Sequence, residues 1–350
     1  MKNTTSATQS EVYNGLLCKR AYPHRVSTIQ TEGTHCSWIF LAGPYAYKIK
    51  KQVKFGSVLD FSTLSLRRKY CYKEVELNRK LCKDMYYGVV RIVTVPDKND
   101  SRVMITDSHT RTGQVKEYAV KMKHIASEYR MDKLLTAHRI NLENIRKIAS
   151  ILNAFHSTTL TNSEIQKYGQ PKYLKYKIKE NFQTLARLKH PMPRARDTLI
   201  KFIDNNENFF LTRIRDKKIR DIHGDLYLKN IFIVKDRRYY LYDRVEFNDS
   251  LRYADVAEDV AHLSMDLEHH KHKDLQLCFV HTYMSRSQDH ALKRILNFHI
   301  SYKAFMRAKV SLFQASFEST KSRKYSLKKD ADSHFALGQK YLEHLYESKD

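Results

Sequence analysis

Cysteine is scarce in this 350-residue chain, and its five cysteines are scattered without a C-x-x-C pair. This pattern indicates neither a zinc site nor a disulfide framework, and a reducing cytoplasm is the compartment that it favours. No apolar run reaches the ~18 residues of a membrane-spanning helix, so no membrane partner is expected. Residues 1–6 are polar and lack the apolar stretch of a secretory signal. Internal repeats and low-complexity tracts are also absent, and a content of 42% hydrophobic and 29% charged residues is that of a globular chain.

Acidic residues are too few to balance the basic ones: 63 Lys and Arg face 38 Asp and Glu, for a formal net charge of +25. A chain with this charge attracts anions such as nucleotides, phosphorylated metabolites and nucleic acid. The basic residues are spread over the whole chain and no nucleic-acid motif is visible, so a solvated basic surface is favoured and a nucleic-acid partner is the alternative. His269, His270 and His272 lie in a Lys-rich stretch without fixed ligand spacing, which favours a solvated segment over a metal site.

The most informative stretch begins at His223 and reads H-G-D-x-x-x-x-N, with a further aspartate just downstream. Its spacing supplies three groups with separate tasks in phosphoryl transfer. Asp225 is the candidate catalytic base, which orients an acceptor hydroxyl and takes its proton. Asn230 and Asp243 are the candidate ligands of the Mg²⁺ that neutralises the phosphates of ATP. An ordinary turn that ends in asparagine is the competing interpretation.

Residues 231–234 are rich in β-branched and aromatic side chains and predict a short strand. Residues 235–238 predict a polar turn, and residues 239–242 predict a second strand. A two-stranded ribbon of this kind returns Asp243 to the side of Asn230, as a shared metal site requires. The combination of loop, hairpin and second aspartate favours the functional interpretation over an ordinary turn.

The first third of the chain has the patterns of strands, and the remainder has mostly those of helices. The predicted strands are residues 26–30, 37–42, 46–50, 89–95, 102–106 and 117–122. The predicted helices are residues 11–20, a segment from Ser62 or Thr63 to Leu81, residues 142–155, and most of the chain after Asp255. We therefore expect an α+β fold in which residues 1–25 form a tail and a short helix, residues 26–124 a β-rich N-lobe, and residues 125–350 a helical C-lobe.

Six segments between about Thr28 and Leu267 carry a resemblance to a known family. They read T-H-C-S-W-I-F-L-A-G-P-Y-A-Y-K-I-K-K, L-D-F-S-T-L-S-L-R-R, E-V-E-L-N-R-K-L, E-Y-A-V-K-M, H-G-D-L-Y-L-K-N-I-F and E-F-N-D-S-L-R-Y-A-D-V-A-E-D. The chain resembles the aminoglycoside phosphotransferase-like family of the protein-kinase-like fold. More narrowly, it is similar to the kinase-like half of prokaryotic proteins that often carry a second, P-loop ATPase half. The resemblance implies a two-lobe fold with ATP and Mg²⁺ as cofactors. No G-x-x-x-x-G-K-[S/T] motif occurs in these 350 residues, so a separate P-loop ATPase chain is implied as a candidate partner.

The resemblance assigns nucleotide-binding roles to two charged residues. Lys48 matches the lysine that contacts the α and β phosphates, where a fixed positive charge faces developing negative charge. Lys50 is the alternative in the neighbouring register. Glu74 matches the glutamate that pairs with this lysine, and Glu76 is its alternative.

Two backbone segments are also assigned to the nucleotide by resemblance. The turn from Gly33 to Ser37 matches the loop that covers the phosphates, and its backbone N–H groups and the Ser37 hydroxyl are candidate phosphate ligands. Its single glycine makes it a weak phosphate motif by itself. The segment at residues 121–123, with Met122 at its centre, matches the inter-lobe hinge whose backbone contacts adenine.

Further polar residues receive structural or open assignments. Asp255 is implied to be a helix cap or a buried partner of the catalytic loop, and His156 is implied to be a packing residue. Lys229 either contacts a phosphate or is solvated. Glu246 either contacts substrate or metal or anchors its loop. The aromatic, methionine and basic residues at 302–309 are interpreted as core rather than as the border of an acceptor site.

Departures from the protein-kinase pattern narrow the function. Gly224 replaces the arginine that precedes the catalytic aspartate in phosphorylation-regulated kinases, and Asp243 is not followed by Phe-Gly or by an A-P-E segment. These differences favour a constitutively assembled kinase that transfers the γ-phosphoryl group of Mg·ATP to a hydroxyl of a small molecule. A polycationic acceptor is not expected, because the positive chain repels it. The alternatives are a nucleotide-binding pseudokinase or adaptor, a kinase-like protein associated with nucleic acid and, more weakly, phosphorylation of a protein in trans.

Overall fold

The computed structural model describes residues 7–56, 58–97, 100–107, 113–234 and 238–345. Contacts within the chain group it into two compact units. The first comprises Met1–Arg130 with Phe232–Asp249, and the second comprises Met131–Ile231 with Ser250–Asp350. The sequence placed the join at residues 124 and 125 and kept the hairpin after the catalytic loop in the helical lobe. Grouping by contacts divides the chain after Arg130 and places residues 232–249, which include that hairpin, in the first unit.

The described strands are β1 (Ile29–Gly33), β2 (Ser37–Ala42), β3 (Tyr45–Lys50), β4 (Lys54–Phe55), β5 (Leu59–Asp60), β6 (Tyr86–Asp97), β7 (Asp100–Thr106), β8 (Gln114–Lys123), β9 (Ile219–Asp221), β10 (Ile231–Val234), β11 (Arg238–Leu241) and β12 (Tyr253–Asp255). The main sheet of the first unit is antiparallel, in the order β1-β2-β3-β8-β6-β7. The short strands pair as β4 with β5, β10 with β11, and β9 with β12. The predicted bounds 37–42 and 231–234 agree with β2 and β10, and the predicted turn at 235–238 lies mostly outside the described residues.

Alternation along β3 sends its side chains to two different cores, because successive residues of a strand point to opposite faces. Tyr47 and Ile49 pack in an apolar cluster with Val12 of the N-terminal helix. Ala46 packs on the other face, in a cluster that contains Val75. Lys48 therefore shares the face of Ala46, which is the face that the site uses.

Two helices accompany the sheet: α1 (Ala7–Leu16) and α2 (Leu64–Asn78). Thr63 caps α2, since its hydroxyl accepts a hydrogen bond from the backbone N–H of Leu66 at 3.2 Å. This cap confirms the helix start predicted at Ser62 or Thr63. The buried positions of α2 recur every three or four residues, so one face of the helix lies against β8 and β6.

The second unit is mainly helical. Its described helices are α3 (Met131–Thr136), α4 (Leu142–Thr158), α5 (Ser163–Gln166), α6 (Pro171–Arg187), α7 (Pro193–Asn205), α8 (Glu207–Arg215), α9 (Ala257–His269), α10 (Lys273–Ser287), α11 (Lys293–Phe317) and α12 (Lys321–Glu343). The predicted helix at 142–155 corresponds to α4, which begins with a capping box between Asn141 and Asn144.

Helix α9 is the most enclosed element of the second unit. Residues 257–268 are all buried, and the helix packs against α10 and α11. Buried carboxylates need partners, so the acidic side chains of α9 are expected to be bound within the unit. None of the described helices combines the length and the apolar character that a bilayer crossing requires.

Candidate active site

The first unit contains a network of charged side chains built on β3. Lys48 projects from the α2 side of the strand, and its Nζ lies 2.9 Å from Oε1 of Glu74 and 2.5 Å from Oδ1 of Asp243. Glu74 is fully buried on α2, whereas the Asp243 side chain is 35% exposed. The structure therefore brings together Lys48 and Glu74, which the sequence assigned to the nucleotide, and Asp243, which it assigned to the metal.

Lys50 joins the same network, because residues two apart on a strand share a face. Its Nζ lies 2.7 Å from Oε2 of Glu74 and also binds Oε1 of Glu246. One carboxylate oxygen of Glu74 therefore binds Lys48 and the other binds Lys50. Both lysines that the sequence offered as the partner of Glu74 are its partners. Glu76 is exposed on the outer face of α2. Glu246 is buried and held by Lys50, a contact that anchors its segment.

The protonation states of this network follow from its charges. Burial alone would lower the pKa of Lys48, but Asp243 and Glu74 outweigh it and raise the pKa well above its ordinary value. Burial likewise opposes ionisation of Glu74, yet Lys48 and Lys50 lower the pKa of that carboxyl to about 2. Two ammonium groups therefore face three carboxyl groups, counting Glu246, whose pKa is raised by burial. Asp243 is the most exposed of the three, so it is the carboxylate that can be offered to a cation.

The backbone at Asp243 is held in an uncommon conformation. Its φ of 66° lies in the left-handed region, which costs a non-glycine residue about 1 kcal/mol or more and persists only where neighbours enforce it. The N–H of Asp243 donates to the Tyr86 hydroxyl at 3.3 Å, and the next N–H, of Arg244, donates to Oδ1 of Asn78 at 2.9 Å. The buried Arg244 guanidinium also donates to the Leu77 carbonyl at the end of α2. These contacts fix the direction of the Asp243 carboxylate.

The β1–β2 turn differs from a phosphate-binding loop in the use of its backbone groups. The N–H of Thr34 donates to the Ser37 carbonyl at 2.9 Å. The N–H groups of Cys36 and Ser37 both donate to the Thr34 hydroxyl, at 3.2 and 3.0 Å. Ser37 is buried at the start of β2. Gly33 is the last residue of β1, without a positive φ, and a Cβ there would meet nothing closer than 3.9 Å. Three of the amides proposed for phosphate are therefore already bonded within the turn.

Met122 lies inside β8 rather than in a free connecting segment. Its backbone is flanked by Ala46 of β3 and Tyr86 of β6, and its side chain is buried. The strand ends at Lys123, and residues 124–126 have no regular structure.

The second unit carries the H-G-D-x-x-x-x-N loop. The side-chain amide of Asn230 donates to the Asp225 carbonyl at 2.9 Å and to Oδ2 of Asp225 at 3.3 Å. This orientation turns the amide nitrogen onto Asp225 and leaves Oδ1 of Asn230 without a hydrogen bond from any described residue. Oδ2 of Asp243 is likewise unengaged by the described residues of its unit. Mg²⁺ prefers oxygen ligands of these two kinds, so both side chains fit the predicted metal role.

A carboxylate of α9 fixes the start of the loop. Oδ2 of Asp259 accepts from the N–H of His223 at 2.7 Å, and Oδ1 accepts from the N–H of Gly224 at 2.9 Å. Nε2 of His156 lies 3.0 Å from Oδ2 of the same carboxylate, and its Nδ1 lies 2.8 Å from the Tyr283 hydroxyl. Burial opposes the charge, but His156 and the loop amides lower the pKa of Asp259 to about 2. The carboxylate is therefore ionised and fully bonded.

A second carboxylate of α9 holds the other end of the loop. Oδ2 of Asp266 accepts from the N–H of Leu228 at 2.8 Å. Asp266 follows Asp259 by two helical turns, so both side chains project from one face of α9. The sequence interpretation missed both residues. The available signal was a set of acidic residues at helical spacing in a segment otherwise rich in apolar residues.

The structure gives the contacts of Asp255 and His156, which the sequence assigned to structural roles. Oδ1 of Asp255 accepts from the N–H of Ala257, the first residue of α9, at 2.9 Å, although the N-cap position itself is Val256. Its carboxylate also pairs with the buried guanidinium of Arg213 at 2.5 Å. The loop partner is Asp259 instead. His156 does more than pack, since it is hydrogen-bonded to Asp259. Lys229 is exposed in the loop.

Several solved structures that match this fold are described as small-molecule kinases. A choline kinase from Cryptosporidium parvum Iowa II matches with a TM-score of 0.53 over 96% of this chain and 96% of its own, at 10% identity. An amicoumacin kinase in complex with AMP-PNP and Ca²⁺ matches with a TM-score of 0.53 over 95% of this chain and 94% of its own, at 12% identity. A GDP complex of an aminoglycoside 2'-phosphotransferase matches with a TM-score of 0.50 over 93% and 95%, at 11% identity. The chain has the protein-kinase-like fold of these enzymes, which confirms the α+β class and the resemblance drawn from the motifs.

The sequence relatives are longer than this chain, and their descriptions name no activity. Proteins described only as uncharacterized, from Mycobacterium tuberculosis and Mycobacterium bovis, are each 30% identical to this chain over 325 residues. The match covers 90% of this chain and 60% of each relative, so the chain spans well under the full length of those proteins. No protein-family model matches the sequence.

Proposed function

We propose that this protein is a phosphotransferase that moves the γ-phosphoryl group of ATP to a hydroxyl of a small molecule. The observation that carries the proposal is the loop from Asp225 to Asn230, in which the Asn230 amide nitrogen binds the aspartate and its oxygen is left unengaged by described residues. The Lys48, Glu74 and Asp243 network of the first unit supports it, because it contains the charges that an ATP-binding kinase needs.

The residues divide the reaction between them. Asp225 orients the acceptor hydroxyl and takes its proton as the oxygen attacks the γ-phosphorus. Lys48, held by Glu74, supplies positive charge to the phosphates. Asn230 and Asp243 are each proposed as an oxygen ligand of Mg²⁺, whose charge would neutralise the phosphate oxygens. The fold leaves Gly224 where a regulated kinase has arginine, so the activity is proposed to need no activating phosphorylation.

The setting of the activity is also proposed. The cysteines of the chain are free thiols, which fits a reducing cytoplasm. The acceptor is proposed not to be a polycation, because of the net charge of +25. A P-loop ATPase remains the candidate partner, which the greater length of the mycobacterial relatives leaves room for.

The test is transfer of labelled γ-phosphate from Mg·ATP into a metabolite extract, read by mass spectrometry, with Asp225→Asn protein as control. A phosphorylated product that needs the wild-type protein supports the proposal and identifies the acceptor class. Binding of Mg·ATP with no product from any extract, with or without added P-loop ATPase, would instead favour a nucleotide-binding pseudokinase.

The two lysines of β3 are expected to respond differently to substitution by methionine. Lys48→Met removes the charge proposed for the phosphates, so turnover per bound ATP should fall by about 10²–10³-fold. Its effect on stability should be the smaller one, because Glu74 keeps Lys50 as a partner. Lys50→Met leaves Glu246 buried without its cation and should lower the free energy of unfolding by about 3–5 kcal/mol.

Urea unfolding and the extract assay, run on both variants, check this contrast. Each lysine serves as the control of the other, since the substitution, the strand and the sheet face are the same. Equal losses of stability and of turnover in the two variants would refute separate roles.

A further inference from the structure

An arginine of α11 lies beside the catalytic loop of the second unit. The guanidinium carbon of Arg307 is 4.6 Å from the ring centre of Tyr227, which follows Asp225 by two residues. The same tyrosine ring stacks on His262 of α9, with centroids 5.7 Å apart and planes inclined by 10°. Such cation–π and stacking contacts fix the direction of a guanidinium without consuming its hydrogen-bond donors. These ring contacts therefore orient the Arg307 guanidinium but do not engage its N–H donors.

Burial disfavours the charge of Arg307, but Tyr227, Asp225 and Asp266 outweigh it and raise the pKa of the guanidinium without forming an ion pair with it. Two other cations of α11 have polar partners: Lys303 pairs with Glu258 at 2.7 Å, and Arg294 donates to Asn206 at 2.8 Å. Lys309, like Arg307, makes no hydrogen bond or ion pair with a described residue, but its ammonium does not lie over the catalytic-loop tyrosine. Arg307 makes no hydrogen bond or ion pair with any described residue, although it is half-buried. A guanidinium has five N–H donors in a planar fork that matches a carboxylate or a phosphate. A sheltered fork with unused donors is suited to an anionic ligand.

Neither of two polar side chains near Asp225, those of His262 and Asp266, forms a hydrogen bond or ion pair with Arg307. His262 is fully buried, and neither of its ring nitrogens has a hydrogen-bond partner among the described residues. Its Nδ1 lies 4.0 Å from Oδ1 of Asp225. Burial, with the charges of Lys303 and Arg307, lowers the pKa of His262 well below its ordinary value, so the ring is neutral. The nearby carboxylate of Asp266 is already bonded to the N–H of Leu228. Arg307 is thus the charge that an incoming acceptor meets beside the base.

We propose that the acceptor carries an anionic group, a carboxylate or a phosphate, which Arg307 binds so that a hydroxyl of the same molecule lies at Asp225. This inference rests on the proposed phosphotransferase function and names its substrate class. In the step itself, the hydroxyl oxygen forms a bond to the γ-phosphorus, the bond from that phosphorus to the β–γ bridging oxygen breaks, and ADP leaves. The hydroxyl proton passes to Asp225. Binding of the anion by the arginine fork fixes the distance between the anionic group and the reacting hydroxyl.

This assignment reverses the interpretation of residues 302–309 as core. Residue spacing alone favours packing for such a segment, and most of it is buried. Met306, Arg307 and Lys309 are partly buried, and of these Arg307 has its cation over the tyrosine of the catalytic loop. A cationic acceptor would be repelled at this point, in agreement with the expectation drawn from net charge.

The test uses the full chain, Mg·ATP and a metabolite extract separated on an anion-exchange column at neutral pH. Retained fractions contain anionic metabolites, and the unretained fraction contains neutral and cationic ones. Half of each retained fraction is treated with a phosphatase, which is then removed, so that phosphate-bearing acceptors lose activity and carboxylate-bearing acceptors keep it. We expect the new phosphorylated product from retained fractions. A product from the unretained fraction alone would overturn the inference and leave the proposed function intact.

Two variants on the same helix sharpen the result. Arg307→Ala should raise the KM for the purified acceptor by about 10–100-fold, with the KM for ATP within about twofold of wild type, since hydrogen bonds between charged groups have effects of this size. Arg294→Ala is the matched control, because Arg294 also lies 4.6 Å over an aromatic ring, that of Phe209, but is exposed and bonded to Asn206.

Arg307→Lys should recover part of the lost affinity, because it restores the charge without the planar fork. Equal acceptor KM values in the Arg307→Ala and Arg294→Ala proteins would refute the inference. If wild-type protein phosphorylates no fraction at all, the proposed function fails, and the inference falls with it.

Discussion

Asp225→Asn protein should lose about 10²–10⁴-fold in turnover and keep its affinity for Mg·ATP. The substitution removes the proton acceptor but retains the shape of the side chain. An amide oxygen at this position can still accept the hydrogen bond from Asn230, so the loop should keep its conformation. The ion pairs of Lys48 lie in the first unit and do not include this residue. The loss is therefore expected in the chemical step and not in nucleotide binding.

Turnover is measured as product formed from the acceptor fraction of the extract, and Mg·ATP affinity is measured by calorimetry on the same protein. Asp204→Asn is a suitable control, because Asp204 forms an exposed ion pair with Lys175 and such pairs contribute little. Retention of more than a tenth of wild-type turnover by the Asp225→Asn protein would remove the residue from its proposed role.

Much of the fold of this chain could be predicted from the sequence, because the local residue patterns agree with the strands and helices that form. The strand at Ser37–Ala42 and the strand at Ile231–Val234 have β-branched and aromatic side chains bounded by turns, and both were predicted with their observed bounds. The cap at Thr63 is a local hydrogen bond that a serine or threonine before a helical pattern predicts. The grouping of the hairpin with the first unit was not predicted, because it depends on contacts between distant parts of the chain.

The candidate site could be predicted only in part from the sequence. Alternation on β3 places Lys48 and Lys50 on one face, and no sequence rule separates two lysines that share a face. The structure shows that Glu74 binds both. The phosphate-loop prediction for Gly33 to Ser37 could not anticipate that the Thr34 hydroxyl would bind the turn's own amides. Local side-chain competition of this kind depends on turn geometry, which composition does not reveal.

The partners of the catalytic loop show where the motif interpretation stopped too early. A motif names the residues that perform the chemistry, but those residues keep their positions only if a second set of side chains binds their backbone. On α9 this second set is Asp259 and Asp266, two turns apart, which hold the loop at the N–H groups of Gly224 and Leu228 among others. A buried helix with acidic residues on one face is itself a signal, because such groups must be partnered.

Asp259→Ala is accordingly expected to be among the most destabilising single substitutions outside the apolar core. It leaves the N–H groups of His223 and Gly224 and the ring of His156 without their buried acceptor, and should lower the free energy of unfolding by about 3–5 kcal/mol. Urea unfolding at pH 7 measures the loss. Asp274→Ala is the control, since Asp274 is exposed in the first turn of α10 and should cost about 1 kcal/mol or less.

At acidic pH, the free energies of unfolding of the wild-type and Asp259→Ala proteins should differ by less than they do at pH 7. The pKa of Asp259 is about 2 in the folded protein and ~3.9 in an unfolded chain, so its ionisation stabilises the fold above about pH 4. This contribution is lost as the pH falls towards the folded value. At pH 3 the gap in unfolding free energy should therefore be roughly 1 kcal/mol smaller than at pH 7. A gap that stays constant or widens on acidification would show that the carboxylate charge does not hold the loop, and that only the volume of the side chain matters.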